Sequence, residues 1–363
     1  MNEGPTTVGS SATDRTTTQT LTVHIGASKT GSSAIQAFLM RNGKWLRERG
    51  IVVPDVAMGD GPKVDGCQVW YFARPEADRT QSSAELTKKV EALFAKDGVR
   101  QVVISAENLS SPDAEAPHWF DDVVSQNETE VVIYLRRQDD YLLSSWQQWF
   151  GKYDKDLSTW LSSCVGVRGD WRVVLELWER IVGRERLRVR LYERDKLVEG
   201  DVVADFAQFL RVDEAIPEAA PERIVNPSFN EAIVSLMPGS GLFKDGHDNE
   251  FYKFLDETLG AAAHRRPNES PITYEQRVDI LKHYEESNAW IRERYFAESN
   301  VPSTLFEMPR PDEYRVPSES ELVRQQMQLL FRLAFELHKT KDGSDDRSRG
   351  IGRWRRLREI IRI

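Results

Sequence analysis

The chain has 363 residues, of which 40% are apolar, enough to fill a substantial core. Its 49 Lys and Arg against 58 Asp and Glu give a net charge of −9, which excludes a general nucleic-acid binder. The two cysteines, Cys67 and Cys164, exclude a disulfide framework and suit a reducing compartment, and the 6 histidines lack metal-ligand spacing.

Residues 1–20 are rich in Ser and Thr and lack the apolar core of a secretory signal, so a disordered lead-in is expected there. No apolar run reaches the about 18 residues that a transmembrane helix needs. We therefore expect a cytoplasmic protein without a transmembrane segment.

Buried strands alternate with amphipathic helices along the first half of the chain. Strands are predicted at 21–26, 101–107, 130–137 and 186–193, with a shorter one at 51–54. The helices predicted in this part of the chain include 83–96, 170–182 and 201–210. This alternation predicts a three-layer α/β fold, in which a parallel β-sheet is flanked by helices as in P-loop nucleotide-binding proteins.

The strand signal stops after about residue 220. Helices are predicted beyond that point at 228–236, 248–262, 273–297 and 319–339. We expect a single α/β domain over 21–339 with a helical C-terminal part, followed by an Arg-rich tail at 340–363.

A glycine-bounded loop, Gly-Ala-Ser-Lys-Thr-Gly-Ser-Ser at 26–33, connects the first strand to an amphipathic helix. Such a turn can serve tight packing alone, but it also gathers backbone N–H groups and a helix N-terminus, which suit a phosphate or sulfate group. Its lysine, Lys29, lies inside the loop. The nucleoside-triphosphate loop G-x-x-x-x-G-K-[ST] has lysine directly after the second glycine, where this chain has Ser32. The displaced lysine favours an anionic cofactor other than ATP.

Three of the predicted strands end in polar residues. The first leads into the Lys29 loop, the second ends at Glu107, and the third ends at Arg136 and Arg137. Ser144 follows about two turns into the next helix, which Asp139 and Asp140 are expected to cap at its N-terminus. Because ligands of parallel α/β sheets bind beyond the carboxyl ends of the strands, we expect these residues along one edge.

Two motifs carry a resemblance to a known family. GASKTGSSAIQAFL resembles the 5′-phosphosulfate loop of bacterial PAPS-dependent sulfotransferases, and VVIYLRRQDDYLLSSW resembles their second signature. The likeness extends over about 21–310 and includes VVISAENLS and LRVRLYERDKL. Ser28 departs from the family pattern, because related loops often carry His there.

The resemblance implies that 3′-phosphoadenosine 5′-phosphosulfate (PAPS) is the co-substrate. Arg136 and Ser144 would hold its 3′-phosphate. The 5′-phosphosulfate would be bound by the loop residues Ser28, Lys29, Thr30, Gly31, Ser32 and Ser33.

The implied reaction is in-line transfer of a sulfuryl group to a hydroxyl or amine of a glycan, a lipid or a small natural product. Lys29 would stabilise the leaving phosphate, and no metal is required because sulfuryl carries less negative charge than phosphoryl. Glu107 is the first candidate for the catalytic base and His24 the second. The alternatives are a structural carboxylate paired to an Arg and a hydrogen-bonded core histidine. Trp70, Tyr71 and Phe72 are expected either to floor the acceptor site or to belong to the core.

Two other functions stay open at this point. A P-loop kinase or NTPase would want lysine at position 32 and a strand-end Asp for magnesium. A non-catalytic nucleotide-binding protein would not need Glu107.

The tail from Arg347 holds seven arginines against one glutamate, Glu359, and Trp354, Leu357 and Ile361 would share one helix face. Two interpretations stay open for it. The tail either makes weak peripheral contact with an anionic membrane or an acidic acceptor, or forms a solvated terminal helix docked on the domain.

Overall fold

The structure is a computed structural model that describes residues 19–73, 79–111, 116–153, 156–212, 215–217, 231–260, 269–297 and 303–342. The chain divides into two compact units. The sheet unit lies within Met1–Leu135 and Val174–Pro221, and the helical unit within Arg136–Val173 and Glu222–Ile363. That they act as one domain over 21–339 stays a prediction.

The sheet unit contains a five-stranded parallel sheet in the order β2-β3-β1-β4-β5. Its strands are β1 (Thr20–His24), β2 (Ile51–Val52), β3 (Gln101–Ser105), β4 (Glu128–Leu135) and β5 (Leu187–Leu191). The central strand β1 is buried along most of its length, including its polar residues Thr22 and His24, as expected in a parallel sheet flanked by helices. The predicted α/β class with a parallel, helix-flanked sheet is confirmed.

Helices account for most of the remaining regular structure in the described ranges. They are α1 (Ser32–Arg41), α2 (Gly43–Arg47), α3 (Val69–Phe72), α4 (Arg79–Phe94), α5 (Asp121–Gln126), α6 (Gln138–Gln148), α7 (Leu157–Cys164), α8 (Trp171–Val182), α9 (Val202–Phe209), α10 (Glu231–Val234), α11 (Glu250–Leu259), α12 (Tyr274–Lys282), α13 (Glu285–Tyr295) and α14 (Glu319–Asp342).

One core cluster joins a face of the sheet to α1 and α9. Val103 of β3 and Tyr134 of β4 pack there with Phe38 of α1 and Phe206 of α9. Because side chains alternate along a strand, Val102 and Ile104 of β3 point to the opposite face. Helix α4 packs on β3, and buried side chains fill both sides of that strand.

The predicted helix over 273–297 is two helices, α12 and α13, with a break at His283 and Tyr284. The break contains neither Gly nor Pro, so the sequence does not mark it. Tyr284 is fully buried, donates a hydrogen bond to the Arg168 carbonyl and accepts one from the Gly166 N–H. These distant contacts hold Tyr284 at the point where the helix breaks.

Both ends of the chain lie outside the described residues. The expectations for the lead-in at 1–20, apart from its last two residues, and for the tail from residue 343 onward therefore stay predictions. Helix α14 extends three residues beyond its predicted end at 339.

Candidate functional site

The loop between β1 and α1 holds its backbone in two left-handed conformations. Lys29 has a φ of 66° and Gly31 a φ of 82°. Gly31 is the N-cap residue of α1, and no side chain caps the helix at this described position. The first N–H groups of a helix lack intrahelical partners, so this end of α1 suits an anion.

The two glycines of the loop are required for steric reasons. A Cβ on Gly31 would lie 2.8 Å from Val202 and 2.9 Å from Tyr192. A Cβ on Gly26 would lie 2.5 Å from the Ser32 hydroxyl and 2.6 Å from the His24 ring. The loop is therefore packed tightly against the sheet and α9.

The loop hydroxyls are arranged differently from one another. Thr30 and Ser32 are buried, and both donate a hydrogen bond to the Ala27 carbonyl. Ser28 and Ser33 are half-buried. With their protons directed at Ala27, the hydroxyls of Thr30 and Ser32 offer only lone pairs to a ligand. They would have to rotate before donating to an anion, whereas the backbone N–H groups at the start of α1 would not.

Glu107 lies in the turn after β3, the strand next to β1, where the Lys29 ammonium acts on its carboxyl. The prediction that Glu107 is the last residue of its strand is wrong. β3 ends at Ser105, and Glu107 begins a short 3₁₀ helix. The Ser110 hydroxyl donates to the Glu107 carbonyl at 2.8 Å and helps to close this turn. Burial raises the pKa of the Glu107 carboxyl, and the nearby Lys29 ammonium opposes that rise.

His24 is a fully buried residue of the sheet. Its Nδ1 lies 2.8 Å from the Ser105 hydroxyl, and its ring packs against Tyr134 and Phe206. Burial lowers the pKa of His24 to about 3, so the imidazole is neutral across the physiological range. This environment fits the core-histidine interpretation, and its role as a base stays a prediction.

The two arginines that follow β4 differ in their surroundings. The Arg136 carbonyl accepts a hydrogen bond from the Trp171 indole at 2.9 Å. The Arg137 side chain is buried, and it bonds to Asp139 at 2.7 Å and to the Glu307 carbonyl at 2.9 Å. Arg137 is therefore used within the helical unit.

A buried ion cluster surrounds the start of α6. It consists of Arg137, Asp139, Asp140 and Arg277, with Tyr314 beside them. Arg277 lies 2.8 Å from Asp140 and 3.6 Å from the centre of the Tyr314 ring. Although burial opposes it, the cationic side chains of Arg136, Arg137 and Arg277 lower the pKa of Asp140.

The predicted capping role of Asp139 and Asp140 is wrong, because the N-cap residue of α6 is Arg137 and both acids lie in the first turn. Their favourable position near the positive end of the helix dipole remains. Sequence reasoning missed Arg277, which lies 138 residues away from Asp139.

Ser144 lies in the second turn of α6 and is half-buried, whereas the hydroxyl of Ser145 is buried without a hydrogen-bond partner among the described residues. Of the two serines, only Ser144 has the exposure that a ligand contact needs. Its predicted contact with a 3′-phosphate stays a prediction.

The aromatic segment of α3 divides into buried and exposed residues. Tyr71 and Phe72 are buried and pack on Trp119, whereas Trp70 is 76% exposed. The core interpretation holds for Tyr71 and Phe72. Trp70 alone has the exposure of a surface contact residue.

Within the described residues, no group of three His, Cys, Asp or Glu side chains is arranged to hold a metal ion. No helix in the described ranges is long and apolar enough to cross a membrane.

No protein-family profile matches the chain. A curated protein of Archaeoglobus fulgidus, described as an uncharacterized protein, is 27% identical over 177 residues, which are 47% of this chain and 47% of the relative. The chain thus spans about half the length of that relative. A crystal structure of a sulfotransferase from Alicyclobacillus acidocaldarius has a TM-score of 0.37 and 18% identity, covering 56% of this chain and 85% of the other.

Proposed function

We propose that the protein is a PAPS-dependent sulfotransferase that moves a sulfuryl group to a hydroxyl or amine of a glycan, a lipid or a small natural product. The observation that carries the proposal is the loop between β1 and α1, with Lys29 inside it and Glu107 beside it. A loop of this kind binds an anion, and the adjacent carboxyl supplies a reason for chemistry there.

In the proposed reaction, the acceptor oxygen or nitrogen attacks the sulfur of PAPS in line with the bond to the leaving phosphate. A new bond from sulfur to the acceptor forms as the bond from sulfur to the phosphate oxygen breaks. The leaving group is the 5′-phosphate of 3′-phosphoadenosine 5′-phosphate (PAP). Lys29 and the N–H groups at the start of α1 would stabilise the charge that grows on this phosphate.

Glu107 would accept the proton that the acceptor loses. Its burial supports this role, because a carboxyl with a raised pKa is a stronger base than an exposed one. His24 is the weaker candidate, since a fully buried imidazole has no exposed atom to meet an acceptor. The contact of Arg136 and Ser144 with the 3′-phosphate rests on the sequence pattern.

A thermal-shift experiment with PAP, ADP and ATP tests the proposal. Because a ligand that binds only the folded state stabilises it by mass action, PAP at a hundred times its Kd should add about 2.7 kcal/mol to the free energy of unfolding. ADP and ATP should stabilise the protein much less. Stabilisation by ADP or ATP without stabilisation by PAP would instead favour a phosphotransferase.

The Arg136→Ala variant serves as a control for nucleotide type. We expect it to weaken binding of PAP far more than binding of adenosine 5′-phosphosulfate, which lacks the 3′-phosphate. Equal losses for the two nucleotides would remove Arg136 from the 3′-phosphate site.

Gly26→Ala should lower PAP affinity at least about tenfold, because overpacking of a tight site costs about 1–3 kcal/mol. The added methyl would collide with Ser32 and the His24 ring and displace the loop. Isothermal titration with PAP measures the effect.

Gly98→Ala is the matched control for that variant. Gly98 has a φ of 72°, so an alanine there is strained, but its Cβ meets no atom within 4 Å. It should lower stability and leave PAP affinity unchanged. Unchanged PAP affinity in Gly26→Ala would show that the loop does not bind this nucleotide.

A further inference from the structure

One nitrogen of the buried His24 ring has no partner in the part of the chain that the structure describes. Its Nδ1 lies 2.8 Å from the Ser105 hydroxyl, whereas its Nε2 is buried without a hydrogen bond among the described residues. Both residues are fully buried. Because buried polar atoms are nearly always hydrogen-bonded, an unpartnered one at this place points to a role that uses it.

The surroundings of Ser105 indicate which nitrogen of His24 carries the proton. Since burial lowers the pKa of His24 to about 3, the imidazole is neutral and has one N–H group. If Nδ1–H donated to Ser105, the buried Ser105 hydroxyl proton would lack an acceptor among the described residues. If the hydroxyl donates to Nδ1 instead, its proton is satisfied and the N–H lies at Nε2. The contacts therefore favour Nε2 as a hydrogen-bond donor.

The direction of this donor is fixed by the residues around the ring. The Gln68 backbone N–H donates to the Ser105 carbonyl, and the Gln68 side-chain oxygen accepts from the Ser105 N–H, both at 2.8 Å. Gln68 is itself fully buried, and the His24 ring lies 5.4 Å from the Phe206 ring, measured between centres. Ser105 and the imidazole are thus held in one orientation.

Nε2 of His24 is directed at the base of the loop between β1 and α1. A Cβ on Gly26 would lie 2.9 Å from Nε2 and 2.5 Å from the Ser32 hydroxyl oxygen. The two polar atoms therefore border the same small space, which stays open because Gly26 has no side chain. Ser32 is the first residue of α1, so this space lies at the helix end that suits an anion.

The Ser32 hydroxyl can change its hydrogen bond without leaving an acceptor unpaired. It donates to the Ala27 carbonyl at 2.9 Å, and the Thr30 hydroxyl donates to the same carbonyl. If Ser32 turned away, Ala27 would keep the bond from Thr30. Since a hydroxyl donates one hydrogen bond and can accept two, a Ser32 that donates to an anion can still accept a bond at its oxygen.

We propose that His24 is a positioning residue that acts through Ser32. When an anion enters the loop, the Nε2–H group of His24 would donate to the Ser32 hydroxyl oxygen, and the Ser32 hydroxyl would donate to the anion. His24 would then touch neither PAPS nor the acceptor, in contrast to the role of a base. The inference rests on the proposed function, because it requires that the loop binds the phosphate of PAPS.

Two substitutions of His24 separate this role from a structural one. The amide of an asparagine reaches the place of Nδ1, whereas the amide of a glutamine reaches the place of Nε2. His24→Asn should therefore weaken PAP binding about fivefold, the usual worth of a neutral hydrogen bond, and His24→Gln should restore most of the loss. A ring needed only for packing would give equal losses in both variants, which would overturn the inference.

Isothermal titration with PAP measures these affinities, and thermal unfolding followed by circular dichroism establishes that each variant is folded. His118→Asn is the matched control. Its side chain is 41% exposed and pairs with Asp121 in the same unit. This control should bind PAP like the wild type.

A double-substitution cycle tests whether His24 acts through Ser32. His24→Asn should weaken PAP binding in the wild type but have little further effect in a Ser32→Ala background, because the hydroxyl that it positions is gone. The same fold loss in both backgrounds would show that His24 acts by another route.

The position of the proton can be measured in the wild type, so this test remains even if a variant fails to fold. Long-range ¹⁵N–¹H correlation spectra of the full chain with ¹⁵N-labelled histidine distinguish the two neutral tautomers. The His24 signals are recognised because they should not titrate between about pH 5 and 8, where exposed histidines do. We expect the N–H at Nε2, and its proton signal should shift when PAP is added.

The outcomes distinguish this inference from the proposed function. An N–H at Nδ1 of His24, or an Nε2–H signal that bound PAP leaves unmoved, would overturn the inference alone. A wild type that does not bind PAP would contradict the proposed function and, with it, this inference.

Discussion

Glu107→Gln is expected to lower the rate of sulfuryl transfer by about 10²- to 10⁴-fold, the usual contribution of a general base. The glutamine amide has the same shape as the carboxylate, but it cannot take up the proton that the acceptor hydroxyl or amine loses. PAP affinity should change little, because the loop donors Lys29 and the α1 N–H groups remain. The rate is measured as PAP released from PAPS with a panel of hydroxyl- and amine-bearing acceptors.

The stability of this variant separates a catalytic role from a structural one. Burial raises the pKa of Glu107, so the folded state disfavours its charged form, and a neutral amide should not lower the free energy of unfolding. A carboxylate that held the fold through an ion pair would show the opposite result.

The acidic limb of the rate profile gives a further readout for Glu107. A base works in its ionised form, so the rate should fall as the pH drops through the pKa of Glu107. The midpoint of this fall should lie above pH 4.5, the ordinary pKa of a glutamate side chain. Glu91→Gln, at an exposed position in the same unit, is the matched control and should leave rate and profile unchanged. A normal rate in Glu107→Gln would show that Glu107 is not the base, and His24→Asn would then test the second candidate.

Asp139→Asn is expected to lower the free energy of unfolding by about 3–5 kcal/mol, the cost of breaking a buried ion pair by removing one partner. Asp139 is fully buried and accepts hydrogen bonds from both Arg137 and Arg277. Its loss would leave two buried guanidinium groups with Asp140 as the remaining carboxylate of the cluster. Denaturation with urea, followed by circular dichroism, measures the change.

Asp279→Asn is the matched control, because Asp279 is 69% exposed in its pair with Lys282. Such a surface pair contributes less than about 1 kcal/mol, so little change is expected. If Asp139→Asn and Asp279→Asn lower the free energy of unfolding by the same amount, the ion cluster does not stabilise the helical unit.

The pKa of Asp140 is lowered in the folded state. The stabilisation that its carboxylate contributes is therefore present above the pKa of the unfolded state and lost as the pH falls through the pKa of the folded state.

The sequence predicted the positions of the strands closely. All five strands lie where apolar runs predicted them, with ends shifted by a few residues. Glu107 is an example of such a shift, because the apolar pattern cannot distinguish the end of β3 from the turn that follows. The break at Tyr284 was missed, since it depends on Gly166 and Arg168 rather than on a local signal.

The parts of the candidate site that are adjacent in the sequence could be predicted. The loop, its two glycines and Lys29 are adjacent in the chain, so their arrangement can be predicted from spacing alone. The different surroundings of Arg136 and Arg137 could not be recognised in this way. Both follow the same strand, and the partners Glu307 and Tyr314, far along the chain, help to give Arg137 its structural role.

By itself, the sequence determined that this protein has a parallel α/β sheet and a glycine-bounded loop with an internal lysine after its first strand, because residue periodicity and glycine spacing are local properties. Only the tertiary structure decided that burial and Lys29 act on Glu107, that Arg137 belongs to an ion cluster, and that α14 exposes several large apolar side chains. Burial and long-range pairing depend on which distant residues pack together. A helix has the same periodicity whichever of its faces is covered.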